Sequence, residues 1–321
     1  MSAQAPSAVV LIRPHRFAPN AQTTADNAFQ RPATEPADIV ALRAYDEVTA
    51  LAERLTAEGV TVHLFEDETG AHPDSVFPNN WFSTHAGGHV AVFPMFAPSR
   101  RGERRWDVVE LLKERYRVQD VIDYSGLERD DVFLEGTGAM VLDHDARIAY
   151  VARSHRADPV ALERFCTNFG FEPMAFDAVD EQGVPIYHSN VMLCVGTDVA
   201  LIGIDRIRDP RRRDEVRERL GRRRDLIELS AAQLRDFAGN AIELEGASGR
   251  FLAMSERAAA ALTAEQRMRI ERTTRIVAVP VPTIELAGGS VRCMIAGVHL
   301  DPRPVPALPP ALAAALATAS A

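Results

Sequence analysis

The sequence predicts an α/β fold, and three observations carry that prediction. Short apolar runs of strand length, such as 8–12 and 199–204, are separated by stretches whose apolar residues recur every three or four positions. This alternation continues through nearly the whole chain. No change in composition marks a linker, so residues 1–321 read as one domain, with a Pro- and Ala-rich tail, 302–321, expected to be loosely attached.

The first run is the buried strand 8–12, followed by a polar segment, 13–30, read as a surface loop or a structured loop near a site. A helix is expected to start at Pro36 and to bury Ile39, Leu42, Tyr45, Val48, Leu51 and Leu55. It stops at Gly59, before a strand at 60–65. Asp74 to Ser83 contains Pro78-Asn79-Asn80-Trp81, which suits a rigid turn presenting amide side chains. A strand (89–93), a helix (104–116) and a strand (118–122) follow. Glu135-Gly136-Thr137-Gly138 then leads into a hairpin, 139–143 and 148–152. A helix capped by Asp158 precedes a strand near 171–176. Further strands are read at 191–195, 199–204, 241–244, 250–254 and 275–279. The arginine-rich stretch 206–224 is interleaved with acids and reads as a solvated helix. Ser230…Gln233 and Thr263…Gln266 are capping-box starts.

The net charge of −9 argues against nucleic acid or anionic membrane as partners. No apolar stretch reaches the ~20 residues of a membrane span. The N-terminus lacks a basic region followed by an apolar core, so a cytoplasmic location is expected. Cys166, Cys194 and Cys293 are too scattered for a disulfide framework or a zinc motif.

Chemistry concentrates near the C-terminus, in Gly288-Gly289-Ser290-Val291-Arg292-Cys293-Met294. Two glycines allow close backbone approach, and a cation beside a cysteine favours the thiolate. The plain alternative is a core cysteine opening a strand at 293–296. Among nine histidines, His188 stands out before a strand, beside Tyr187 and Asn190. His85 and His89 have helical metal spacing, but Gly87-Gly88 between them argues against a helix. Glu135 follows three apolar residues, at the edge of a buried strand, where a carboxylate needs a partner. Arg156, closing the hairpin, is open between a surface arginine and a ligand-binding one.

Taken together, Phe133-Leu134-Glu135-Gly136, Arg156, His188-Ser189-Asn190 and Gly288-Gly289…Arg292-Cys293-Met294 resemble, in order, the guanidino-group modifying enzymes. These include arginine deiminases, dimethylarginine dimethylaminohydrolases and amidinotransferases. The likeness runs from Ala8 to about Leu300 and is strongest to the citrulline-utilisation hydrolases. It implies a pentein fold, five ββαβ-type modules around a central channel. It also implies Cys293 as nucleophile, His188 as general acid/base, Glu135 as the group orienting the imidazole, and Arg156 as partner of a substrate α-carboxylate. Where deiminases carry two aspartates that grip a guanidinium, this chain has Asn190 and either Asn80 or, one position earlier, Asn79. Amides suit a neutral ureido group better than a cation.

The expected reaction is therefore hydrolysis of an amino-acid substrate, citrulline, to ornithine, ammonia and carbon dioxide. Arginine deiminase, dimethylarginine hydrolase and amidinotransferase activities stand as alternatives, as does a non-catalytic pentein. No metal or organic cofactor is called for, because the thiol performs the covalent step. The oligomeric state is left open.

Overall fold

A computed structural model of the chain describes residues 4–304. Its elements in order are β1 (Ala8–Pro14), α1 (Ala37–Ala57), β2 (Thr61–Asp67), β3 (Phe82–His85), β4 (His89–Val92), α2 (Trp106–Arg115) and β5 (Asp120–Asp123). A single helical turn, α3 (Gly136–Ala139), precedes β6 (Met140–Asp143), β7 (Ile148–Ala152), α4 (Pro159–Phe169) and β8 (Glu172–Phe176). Then come β9 (Leu193–Val195), β10 (Val199–Ile202), α5 (Pro210–Gly221), β11 (Asp225–Glu228) and α6 (Ala231–Arg235). The rest is β12 (Ile242–Gly246), β13 (Gly249–Ser255), α7 (Glu256–Ala261), α8 (Ala264–Ile270), β14 (Arg275–Val279), α9 (Val291–Met294) and β15 (Ala296–Gly297).

The strands form five three-stranded sheets among the described residues. In each, two antiparallel strands are followed by a helical crossover to a third, parallel strand, as in β3-β4-α2-β5 and β6-β7-α4-β8. A parallel pair cannot be joined by a tight turn, which is why a helix intervenes. The chain's two ends complete one unit together. β15 pairs antiparallel with β1, and β1 runs parallel to β2 across α1. One strand from each unit (β3, β6, β9, β12, β15) contributes to the lining of a central cavity.

Helix α1 buries Val40, Ala44, Val48, Leu51, Ala52 and Leu55 against Val9 and Leu11 of β1. Ile39 and Leu42, expected on that face, lie 38% and 58% exposed. Val40, Ala44 and Ala52 are buried in their place, which turns the buried stripe by one position. Both capping boxes form, and Asp158 accepts from the Val160 N–H at the start of α4. The arginine-rich helix α5 is solvated, with pairs such as Arg217–Asp214 and Arg222–Glu218. His85 and His89 face each other across the β3–β4 hairpin rather than along a helix. The tail begins attached. Pro302 bridges to Tyr116 and the Arg303 side chain donates to the Lys113 carbonyl, while 305–321 lie outside the described residues.

Candidate active site

The turns entering the inner strands converge on one place. Asn80 ends a 3-10 turn, Pro78–Asn80, ahead of β3, and Asn190 sits in another, Ser189–Val191, ahead of β9. Asn240 precedes β12, and Cys293 lies in α9, ahead of β15. Glu135 occupies the position before α3, not the edge of a strand, because Gly136 takes a φ of +45° and starts a helical turn. Likewise Cys293 is in a helical turn rather than a strand.

Sγ of Cys293 receives two amide donors, Asn190 Nδ2 and Asn240 Nδ2, each at 3.2 Å. The orientation of Asn240 is fixed, since its Oδ1 accepts the Arg292 N–H at 3.1 Å and its Nδ2 also reaches the Asn190 carbonyl. His188 donates through Nε2 to Glu135 Oε2 at 2.8 Å. An ionised carboxylate can only accept, so Nδ1 is the free-base nitrogen of the neutral ring. Burial pushes His188 down to about 4, against the pull of Glu135. Burial would raise the Glu135 carboxyl, but Arg156, the His188 hydrogen bond and Arg100 outweigh it and hold it well below the ordinary range. Glu135 Oε1 accepts the Phe96 N–H at 3.0 Å.

Two buried arginines complete the site. Arg100 donates to Glu103 and to Asn80 Oδ1 (3.0 Å), and lies 3.5 Å from both Asp74 and Glu135. Because a guanidinium only donates, this contact fixes the Asn80 amide, leaving Nδ2 without a partner. Arg156 is 2% exposed, not a surface residue, and reaches Glu135 (3.4 Å) and Asp26. Asn190 Oδ1 is likewise buried and unpartnered. Cys293, His188, Asn80, Asp74, Arg100 and Arg156 line one small cavity together with Thr23 and Asn27.

Of the residues expected from sequence, Cys293, His188, Glu135, Asn80, Asn190 and Arg156 come together here. Asn79 is buried behind them, outside the cavity lining, with its carbonyl accepting from Thr137. The side chain of Arg292 turns into the central cavity instead and donates to the Ile295 carbonyl. Asp26, Asp74, Arg100 and Asn240 escaped the sequence reading. The 13–30 segment is no plain surface loop, since Asn20, Thr23 and Asn27 are buried against the site. Asn240 does carry a signal. It lies 50 residues after Asn190 and 53 before Cys293, in the same place ahead of an inner strand.

Solved structures share this architecture. The N-terminal domain of ArgZ, an arginine dihydrolase from cyanobacteria, bound to product, matches with a TM-score of 0.71 at 16% identity, covering 91% of this chain and 97% of that one. AgrE with L-arginine gives 0.72 at 16% identity, covering 92% of this chain and 40% of that one. A dimethylarginine dimethylaminohydrolase adduct with S-methyl-L-thiocitrulline gives 0.62 at 15% identity, covering 91% and 99%. The chain spans about two fifths of full-length ArgZ and AgrE. At such identities the likeness establishes the fold, which is the pentein fold. No curated protein sequence matches the chain. Residues 13–300, however, match the family described as N,N dimethylarginine dimethylhydrolase, eukaryotic, and the chain belongs to that family.

Proposed function

We propose that the chain hydrolyses the ureido group of citrulline, giving ornithine, ammonia and carbon dioxide. One observation supports this above the rest. Asn80, which lines the same cavity as Cys293, has an unpartnered amide donor, Nδ2, and Asn190, whose own Nδ2 donates to the sulfur, has an unpartnered acceptor, Oδ1, while the carboxylates around them are already paired with arginines. A neutral urea offers one carbonyl acceptor and several N–H donors, which match those two free atoms. A guanidinium would have to draw Glu135 away from Arg156 and Arg100, and breaking a buried pair costs about 3–5 kcal/mol.

In this reading His188 Nδ1 takes the thiol proton, and the Asn190 and Asn240 N–H groups solvate the sulfur anion. The sulfur adds to the ureido carbon. His188 then protonates the departing δ-nitrogen, ornithine leaves, and a carbamoyl group stays on Cys293. Water activated by the same ring releases carbamate, which breaks down to ammonia and carbon dioxide. Arg156 would pair with the substrate α-carboxylate.

A second reading has its own support. The family's description and the AgrE complex with L-arginine favour arginine or a methylated arginine. Incubation with citrulline, arginine and N,N-dimethylarginine, with ornithine, citrulline and dimethylamine assayed, separates the two. Ornithine from citrulline is expected. Citrulline formed from arginine or dimethylarginine, with added citrulline untouched, would overturn the proposal.

A further inference from the structure

We propose that Asp26 makes the site selective for zwitterionic α-amino acids, by occupying the place on Arg156 that a substrate carboxylate takes. The inference rests on the reading of Arg156 given above. Arg156 has one edge to offer. Its Nη1 points inward to Glu135 at 3.4 Å, and its guanidinium carbon lies 5.0 Å from the centre of the Tyr187 ring. The remaining edge, Nε and Nη2, is taken by Asp26, with Nε to Oδ2 at 3.0 Å and Nη2 to Oδ1 at 2.6 Å. Two parallel N–H···O bonds of this kind are how arginine binds any carboxylate, a ligand's included.

Asp26 arrives from 130 residues away in sequence. Its neighbour Asn27 anchors the segment beside the nucleophile, donating to the Ala287 carbonyl at 3.1 Å and lining the same cavity as Cys293. The Asp26 side chain is a quarter exposed while that of Arg156 is buried, so the aspartate is the member of the pair able to yield.

Charge balance then decides what can replace it. A ligand bearing only a carboxylate displaces Asp26 and leaves that anion without its cation, in a region that already holds Glu135 and Asp74. An α-amino acid brings an ammonium on the carbon adjoining its carboxylate. The carboxylate takes Arg156, the ammonium meets the released Asp26, and one ion pair becomes two with no change in net charge. Specificity of this type comes from penalising the wrong ligand as much as from favouring the right one.

The test uses the full chain carrying Cys293→Ala, so that ligands bind without turnover, with and without Asp26→Asn. Calorimetry compares two matched pairs: citrulline with 5-ureidopentanoate, and arginine with 5-guanidinopentanoate. In the parent the amino acid should bind about a hundredfold more tightly than its desamino partner, and Asp26→Asn should shrink that ratio about tenfold or more. Asp26→Ser, run alongside, should shrink it similarly, and its agreement guards against a local folding defect in either variant. A ratio unchanged within twofold would overturn the proposal. Binding by the guanidino pair alone would remove the citrulline reading and leave the Asp26 ratio measurable. Binding by neither pair would end both.

Discussion

Replacing Asn80 by aspartate keeps the acceptor that Arg100 needs but exchanges the free amide donor for an anionic oxygen. If that donor holds a ureido carbonyl, Asn80→Asp should lower kcat/KM for citrulline about a hundredfold and raise that for arginine. Steady-state kinetics on both substrates checks it, and unchanged citrulline turnover would remove Asn80 from head-group recognition. The three cysteines allow a second check. Burial pushes Cys166 and Cys194 up to about 12, and neither lines the cavity that holds Cys293. Iodoacetamide at neutral pH should label one thiol per chain, with activity lost in step, and peptide mapping should find the label on Cys293 alone. The sequence made Cys293, His188 and Glu135 visible because each sits in a compact local motif. Asp26, Asp74 and Arg100 stayed hidden because their meaning lies in distant partners. Arg100, in Ala97-Pro98-Ser99-Arg100-Arg101-Gly102, has the look of a surface turn, yet it is 2% exposed and surrounded by three carboxylates.

At the level of elements, the single turns before the inner strands set the geometry, and α3 shows how little room they leave. A Cβ on Gly138 would overlap the Asn80 amide and come within 2.8 Å of His188 Nδ1. Both neighbours are buried side chains, so neither can swing clear without leaving its hydrogen bond to Arg100 or Glu135. Gly138→Ala should therefore cut kcat at least about a hundredfold, since small misplacements of reacting groups have that effect. Its melting temperature should fall by only a few degrees. Wild-type kcat in a folded variant would contradict the placement of α3 against the site. Regular elements were legible where hydrophobic period and caps agreed, as in α4 and α8. The face of α1 was misjudged because periodicity alone does not weigh alanine as a core residue. Of the 3-10 turns, Pro78–Asn80 was legible as a rigid turn from its Pro-Asn-Asn composition, while Ser189–Val191 was not, because three residues are too few to show a period.

For the molecule as a whole, the fivefold arrangement left no visible repeat in the sequence, and only the family resemblance implied it. The units share a pattern of pairing, not of residues, and one is split between the chain's ends, so β1 and β15 read as unrelated strands. Their packing against one another has a consequence for pH. His85 of β3 is wedged against Phe165 and Phe169 of α4, in the next unit, with ring centroids 5.4 and 4.4 Å away. Its Nε2 meets Ser83 at 2.7 Å, and its Nδ1 is buried without a partner. Burial first, then the electrostatic influence of His299 and Arg147, holds it well below the usual histidine range. The folded state thus refuses a proton that the unfolded chain accepts below pH ~6.5. Unfolding takes up that proton, so this contribution is intact above pH ~6.5 and is lost as pH falls. His85→Phe fills the same aromatic cluster without a titrating group. Urea unfolding at pH 7.5, 6 and 5 should show the parent losing about 2 kcal/mol relative to the variant across that range. Ionisable groups remote from His85 act equally in both proteins and cancel in the difference, and His144, whose ring lies 6.1 Å away, also loses a neighbour. Parallel stability curves would mean that the ring is protonated in place, and that the contact between these two units admits charge and water.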